Sequence, residues 1–254
     1  MNVSLKKANP LVSIITVTFN AEEFLESTIN SIINQSYRNI EYVIIDGGST
    51  DNTVSIIKKY QSHISYWISE PDRGISDAWN KGIKASSGDI IGILNAGDYF
   101  LNTDYIAAVV NNIDVEENII CYGNTEMVDQ SGEVIKTIVG TFKPLNLYIG
   151  LGFGFYHPGC FATRQTYDLV GVFNSQYKLA MDSDWLFRSY KAGVSFKKLN
   201  LSCMMLDGGV SRKFGFSAYG EYLQAMRENC FATGYVYLSM ITTGIRGLVK
   251  SLFI

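Results

Sequence analysis

The sequence predicts an α/β fold whose central sheet is mostly parallel and flanked by helices, followed by a helical C-terminal extension. Two observations carry this. Over the first hundred residues β-branched apolar runs alternate with helical patterns, and the polar, glycine-rich segments fall where the strand-like runs end. Val12 to Phe19, bounded by Pro10 and Asn20, reads as a buried strand. Ala21 to Gln35 places Phe24, Leu25, Thr28, Ile29, Ile32 and Ile33 on one helical face. Tyr42 to Ile45 is a second strand, and Thr50 or Asp51 opens a helix running to about Tyr60. Ser65 to Ser69 and Asp89 to Leu94 are further strands on either side of a helix from Ile75 to Ala85. Strands separated by helices imply a parallel sheet covered on both faces.

Beyond residue 100 the rhythm loosens. A helix from Thr103 to about Asn112, a strand at Ile119 to Tyr122 and a hairpin turning at Gln130-Ser131-Gly132-Glu133 are expected, with strands near Thr125 to Val128 and Val134 to Val139. Asp182 to Ala192 is a helix, and the chain from about Phe216 onward is helical. The expected organisation is one domain over 1–215, made of two halves (1–100 and 101–215), then a helical tail over 216–254.

Composition narrows the function. Of 254 residues, 47% are apolar and 18% charged, enough for a large core and unlike a disordered chain. The net charge of −3 argues against nucleic acid as a partner. The four cysteines are widely spaced without a C-x-x-C pair, as expected of reduced core residues in a cytoplasmic protein. Lys6, Lys7 and Pro10 precede a strand rather than an apolar leader, so no signal peptide is expected. The uncharged stretches Pro144 to Thr163 and Asn229 to Ile245 are respectively too rich in glycine and proline and too short to span a bilayer.

In a parallel α/β sheet, ligands bind at the carboxyl ends of the strands. Here those ends hold Thr18-Phe19-Asn20, Asp46-Gly47-Gly48-Ser49-Thr50-Asp51, Glu70-Pro71-Asp72-Arg73-Gly74 and Asn95-Ala96-Gly97-Asp98. No G-x-G-x-x-G follows the first strand and no G-x-x-x-x-G-K-[ST] occurs, which disfavours a dinucleotide fold or a phosphate-loop NTPase.

These segments, with Ser69 to Gly82, Phe155-Tyr156-His157-Pro158 and Met181-Asp182-Ser183-Asp184-Trp185-Leu186-Phe187-Arg188, resemble the family 2 glycosyltransferases that build bacterial surface polysaccharides. The resemblance implies a GT-A fold, a nucleotide-diphosphate sugar donor (UDP-linked), a divalent metal (Mn or Mg) and inversion at the anomeric carbon. By resemblance, Thr18, Asn20, Asp46, Asp72, Arg73, Asp77, Asn95 and Arg212 contact the donor, Asp46 through the nucleotide base. An Asx turn is the plainer role for Asp46, and a surface ion pair for Arg73. Asp98 is the implied metal ligand, although the family's usual aspartates at the first and third places of its motif are Asn95 and Gly97 here; a helix cap is the alternative. Asp182, six residues before Arg188, is the implied general base, with Asp184 and His157 on the acceptor side. Helix N-terminal charges are the competing reading of both aspartates, and a satisfied core histidine that of His157.

The expected acceptor is a saccharide or lipid-linked saccharide. Arg246 and Lys250 among apolar neighbours suit a tail lying on the inner face of the membrane, with burial in a homo-oligomer as the rival. A nucleotidyltransferase is disfavoured, since Asn20-Ala21-Glu22-Glu23 is no phosphate loop; an inactive sugar-nucleotide-binding relative stays open through Asn95 and Gly97.

Overall fold

The computed structural model describes residues 7–148, 152–208 and 215–231. Its first strand, β1 (Val12–Thr18), is buried along its whole length, as a strand covered on both faces must be. The chain continues through α1 (Leu25–Ile33), β2 (Ile40–Asp46), α2 (Thr53–Lys59), β3 (Tyr66–Ser69), α3 (Ile75–Ala85) and β4 (Ile90–Ile93). Successive β1 side chains point to opposite faces. Val12 and Ile14 therefore join Leu25, Ile29 and Ile32 in one core, while Ile15 and Val17 meet Ala78, Trp79 and Ile83 in the other.

The second half comprises β5 (Tyr99–Phe100), α4 (Tyr105–Asn112), β6 (Ile119–Val128), β7 (Val134–Ile138), α5 (Pro144–Tyr148), β8 (Phe161–Thr163), α6 (Arg164–Val170), α7 (Met181–Lys191), β9 (Ser195–Leu206) and α8 (Gly215–Glu228). One nine-stranded sheet runs β3-β2-β1-β4-β8-β6-β9-β5, with β7 paired to β6. Pairings among β1 to β4 are parallel, as expected. The second half departs from that pattern. β8 pairs antiparallel with both β4 and β6, β5 and β7 add antiparallel edges, and only β6 with β9 is parallel. Gly92 permits the central junction, because a Cβ there would lie 2.4 Å from the ring of its register partner Phe161.

The strands expected at Ile119 to Tyr122 and Thr125 to Val128 are one strand, and β9 has no counterpart in the sequence reading. The β6–β9 register shifts between Tyr122 and Asn124, which breaks the two-residue alternation that a sequence pattern depends on. The start of the expected tail is built into the domain. Leu223, Ala225, Met226 and Phe231 are buried in the same core as Trp185 and Phe187 of α7. Among the described residues no helix is long and apolar enough to cross a membrane. Arg212, the basic tail with Arg246 and Lys250, and the apolar residues 149–151 lie outside the described residues.

Candidate active site

The carboxyl ends of β3, β2, β1 and β4 lie side by side, because the parallel register aligns Ser69 with Asp46, Asp46 with Thr18, and carries Ala96 to Val17 through a backbone hydrogen bond. At the β2 end, Asp46 is fully buried. Its carboxylate accepts the N–H groups of Gly48 (3.2 Å) and Ser49 (2.9 Å) and the hydroxyls of Ser49 (2.5 Å) and Ser69 (2.6 Å). This is the Asx turn, with Gly48 at φ +84° completing it. Asn20, itself left-handed at φ 48°, clasps the turn: its Oδ1 accepts from Thr50 N–H (2.9 Å) and its N–H donates to Ser49 Oγ (2.8 Å).

The result is a slot over Gly47. A Cβ on that residue would stand 2.6 Å from the Asp72 carboxylate and 3.4 Å from the Phe19 ring. Phe19, 62% exposed, is an apolar face at the mouth of a polar crevice. Beside it, Thr18 Oγ1 is buried and has no hydrogen-bond partner among the described residues. Asp72 accepts from Gly74 N–H at 2.8 Å, shaping the loop into α3. Arg73 lies on the rim, paired with Asp77 at 3.3 Å. Burial raises the Asp77 carboxyl, but the N–H and guanidinium bonds from Arg73 and the charges of Lys81 and Arg73 outweigh it and hold it below the usual range.

Past β1, the β4 loop brings Asn95 and Asp98. Asp98 is 5% exposed; its backbone carbonyl accepts from Thr28 Oγ1 (2.8 Å) and its carboxylate from Leu206 N–H (3.2 Å) at the end of β9. Burial pushes this carboxyl up to about 7, against the lowering pull of the Leu206 and Asn95 N–H groups. A carboxylate so short of compensation favours a nearby cation.

Asp182 reaches the same place from the other half of the chain. Glu221 of α8 accepts the N–H groups of Lys178, Leu179 and Ala180 at 2.9, 2.7 and 3.2 Å, fixing the approach to α7. Trp185 stacks on Tyr167 (4.6 Å) and donates to Gly171 O, and Arg188 donates to Val170 O and Val172 O. Asn80 of α3 exchanges two hydrogen bonds with Phe173, tying that loop to the first half of the chain. Asp182 thus opens α7 with its Oδ2 3.7 Å from His157 Nδ1. Trp79, Ile93, His157, Cys160, Asp182 and Trp185 line a small cavity there.

The structure therefore brings Asn95, His157 and Asp182 together, with Asp98 buried at the end of the same β4 loop and Thr18, Asn20, Asp46 and Asp72 on the neighbouring strand ends. It does not bring Asp184. Two residues on from Asp182 along a helix, it faces the opposite way. It is buried, bonded to Arg188 Nε (2.9 Å) and Asn229 Nδ2 (3.1 Å). Removing one partner of such a pair leaves the other uncompensated. Asp184→Ala is expected to cost about 3 kcal/mol of stability, read as a lowered midpoint of urea unfolding. The sequence reading gave no role to Phe19 or Trp79. An aromatic set between two polar strand-end residues was the available signal for the first, and its place within the Ser69 to Gly82 segment for the second.

The model of the family "Glycosyl transferase family 2" matches residues 13–169. An uncharacterised glycosyltransferase of Mycobacterium tuberculosis is 42% identical over 102 residues, which span 40% of this chain and 39% of that protein. The chondroitin synthase of Escherichia coli is 27% identical over 210 residues, 80% of this chain and 29% of the relative. The chain thus covers less than half the length of these relatives. Among solved structures, residues 1–349 of Staphylococcus aureus TarS in complex with UDP-GlcNAc superpose with a TM-score of 0.66 at 17% identity, covering 89% of this chain and 69% of that one. The mannosyltransferase PcManGT of Pyrobaculum calidifontis, in complex with GDP-Man and Mn²⁺, gives 0.63 at 18% identity, covering 86% and 64%. The shared architecture is the GT-A fold. With its strand-end site and a family match running from β1 into α6, this chain belongs to glycosyl transferase family 2.

Proposed function

We propose that the chain transfers a sugar, with inversion, from a UDP-linked donor to a hydroxyl of a saccharide or lipid-linked saccharide in cell-envelope polysaccharide assembly. The observation that carries this is the approach of Asp182 to His157, which in turn contacts Asn95 of the β4 loop, so that distant parts of the chain meet at one strand end. In this reading the base stacks on Phe19 in the slot over Gly47, with Asp72 at its edge. Asp46 acts by holding the turn, and the unpartnered Thr18 hydroxyl bonds the donor. The UDP assignment draws on the TarS complex, and the polymer assignment on the chondroitin synthase relative.

The donor side fits a divalent ion with one protein carboxylate. Among the described residues no three His, Cys, Asp or Glu groups form a cluster, and the buried Asp98 is the one carboxylate of the Asn95 to Asp98 motif. Mg²⁺ and Mn²⁺ sites that share substrate phosphates need only one or two carboxylates. When bound, such an ion supplies positive charge to the leaving diphosphate.

Asp182 does the proton chemistry. Its carboxylate takes the acceptor hydroxyl proton as that oxygen bonds to the anomeric carbon; the bond from that carbon to the diphosphate oxygen breaks, and its electron pair leaves with the nucleotide. Membrane contact through the tail, and self-association, remain part of the proposal and rest on the sequence of residues beyond Phe231. The test is release of nucleotide from a panel of UDP- and GDP-sugars with Mn²⁺ and saccharide acceptors. Release of UDP from one UDP-sugar is expected; binding without turnover across the panel would leave only an inactive sugar-nucleotide-binding protein.

A further inference from the structure

We infer that Asn95 locks the His157 imidazole in the Nδ1–H tautomer, so that the ring presents its single proton to the carboxylate of Asp182. The argument is an inventory of donors and acceptors. Trp79 is 1% exposed, and an indole nitrogen can only donate. Its Nε1 lies 2.9 Å from Asn95 Oδ1, which identifies that amide atom as the oxygen. The other amide atom, Nδ2, is then a donor, and it lies 2.9 Å from His157 Nε2. Nε2 must accept, so it carries a lone pair and the ring proton sits on Nδ1. Both an Nε2–H tautomer and an imidazolium would set two donors against each other at that distance.

The ring has little freedom to escape this arrangement. It packs against the Trp79 indole at 4.9 Å, and Trp79 is wedged on its other side by Phe173 at 4.8 Å. From this position Nδ1 faces Asp182 Oδ2 at 3.7 Å. That is too long for a hydrogen bond in the unliganded protein, but a shift of under about 1 Å makes one, and catalytic contacts commonly tighten on substrate binding. A neutral N–H donor aims Oδ2 without neutralising the group, while Oδ1 is held by the Ser183 N–H at 2.7 Å, so both carboxylate oxygens are oriented and the charge that takes the acceptor proton is kept. The departure at position 95 is what sets this up. An aspartate there accepts from Trp79 and from His157 Nε2 alike, which draws the proton away from the side facing Asp182. His157 is on this view a positioning residue, and its functional consequence rests on Asp182 being the base.

The tautomer is directly observable. The chain has two histidines, and His63 is exposed, so in a His63→Gln background long-range ¹H–¹⁵N correlation spectra of the full chain report His157 alone. At neutral pH, Nε2 is expected at the shift of a bare ring nitrogen and Nδ1 at that of a protonated one. Asn95→Asp is expected to move the proton to Nε2. A wild-type spectrum with Nε2 protonated overturns the inference.

For function, His157→Asn keeps a donor near the Nδ1 position whereas His157→Gln moves it away. The Gln variant is expected to lose about 10- to 100-fold in kcat, the worth of one hydrogen bond to a charged group. Donor KM is unchanged, and the Asn variant retains more of kcat than the Gln variant. Equal losses in the two variants overturn the positioning role. If the spectra are as expected but Asp182→Asn keeps full turnover, the base assignment fails while the tautomer assignment stands.

Discussion

Asp182→Asn is expected to lower kcat by about three orders of magnitude, within the range that a positioned general base contributes. The amide matches the carboxylate in size and still accepts from the Ser183 N–H, which lies 2.7 Å from Asp182 Oδ1, so the local fold should survive. What it cannot do is take a proton from the incoming hydroxyl. Donor KM should change little, since the nucleotide slot is built from the β1, β2 and β3 ends and touches α7 nowhere in the described contacts. Steady-state UDP release at saturating donor, with and without acceptor, measures both quantities. Turnover within a few-fold of wild type would show that another group removes the proton.

Asp98→Asn tests the donor side and has the second large effect. The side-chain oxygen still accepts from Leu206 N–H, and the buried site sheds a carboxyl that burial had already pushed up to about 7, so folding should be preserved. The negative charge that would hold a divalent ion is gone. Turnover is expected to fall by at least about 100-fold, the scale of losing one preorganised electrostatic contribution at a leaving group. Calorimetric titration of UDP with Mn²⁺ separates this from a folding defect: wild type gains affinity with the ion and the variant does not. If UDP binding is equally metal-dependent in both proteins, Asp98 is not the ligand.

Both effects involve residues visible in the sequence, yet for different reasons. The first hundred residues were legible because each of their pieces is local. The α3 helix begins and ends where its amphipathic pattern does, at Ile75 and Ala85, and Asp46-Gly47-Gly48 spells its own turn. The chain beyond residue 100 was legible only in fragments. β9 escaped because Lys197, Lys198 and the register shift near Gly123 disrupt the alternation expected of a strand. The closeness of His157 to Asp182 could not be read at all, since β8, α6 and a loop pinned by Asn80, Trp185 and Arg188 intervene. Asp184 was the complementary difficulty: its acidic neighbour suggested a shared duty, and only the helical turn between them separates a solvent-lining group from a buried tether.

The three amide protons gathered by Glu221 have a consequence for how such an enzyme diversifies. Residues 13–169 carry the recognisable family portion, whereas Asp182 and the glutamate that steadies its approach both lie downstream. A recombination break near residue 170 would thus move the proposed proton acceptor together with its own brace, leaving the contacts of Asn80 with Phe173 and of Arg188 with Val170 to be matched across the junction. A break between residues 180 and 221 would sever that brace, so viable chimeras of this chain should have junctions on the near side of α7.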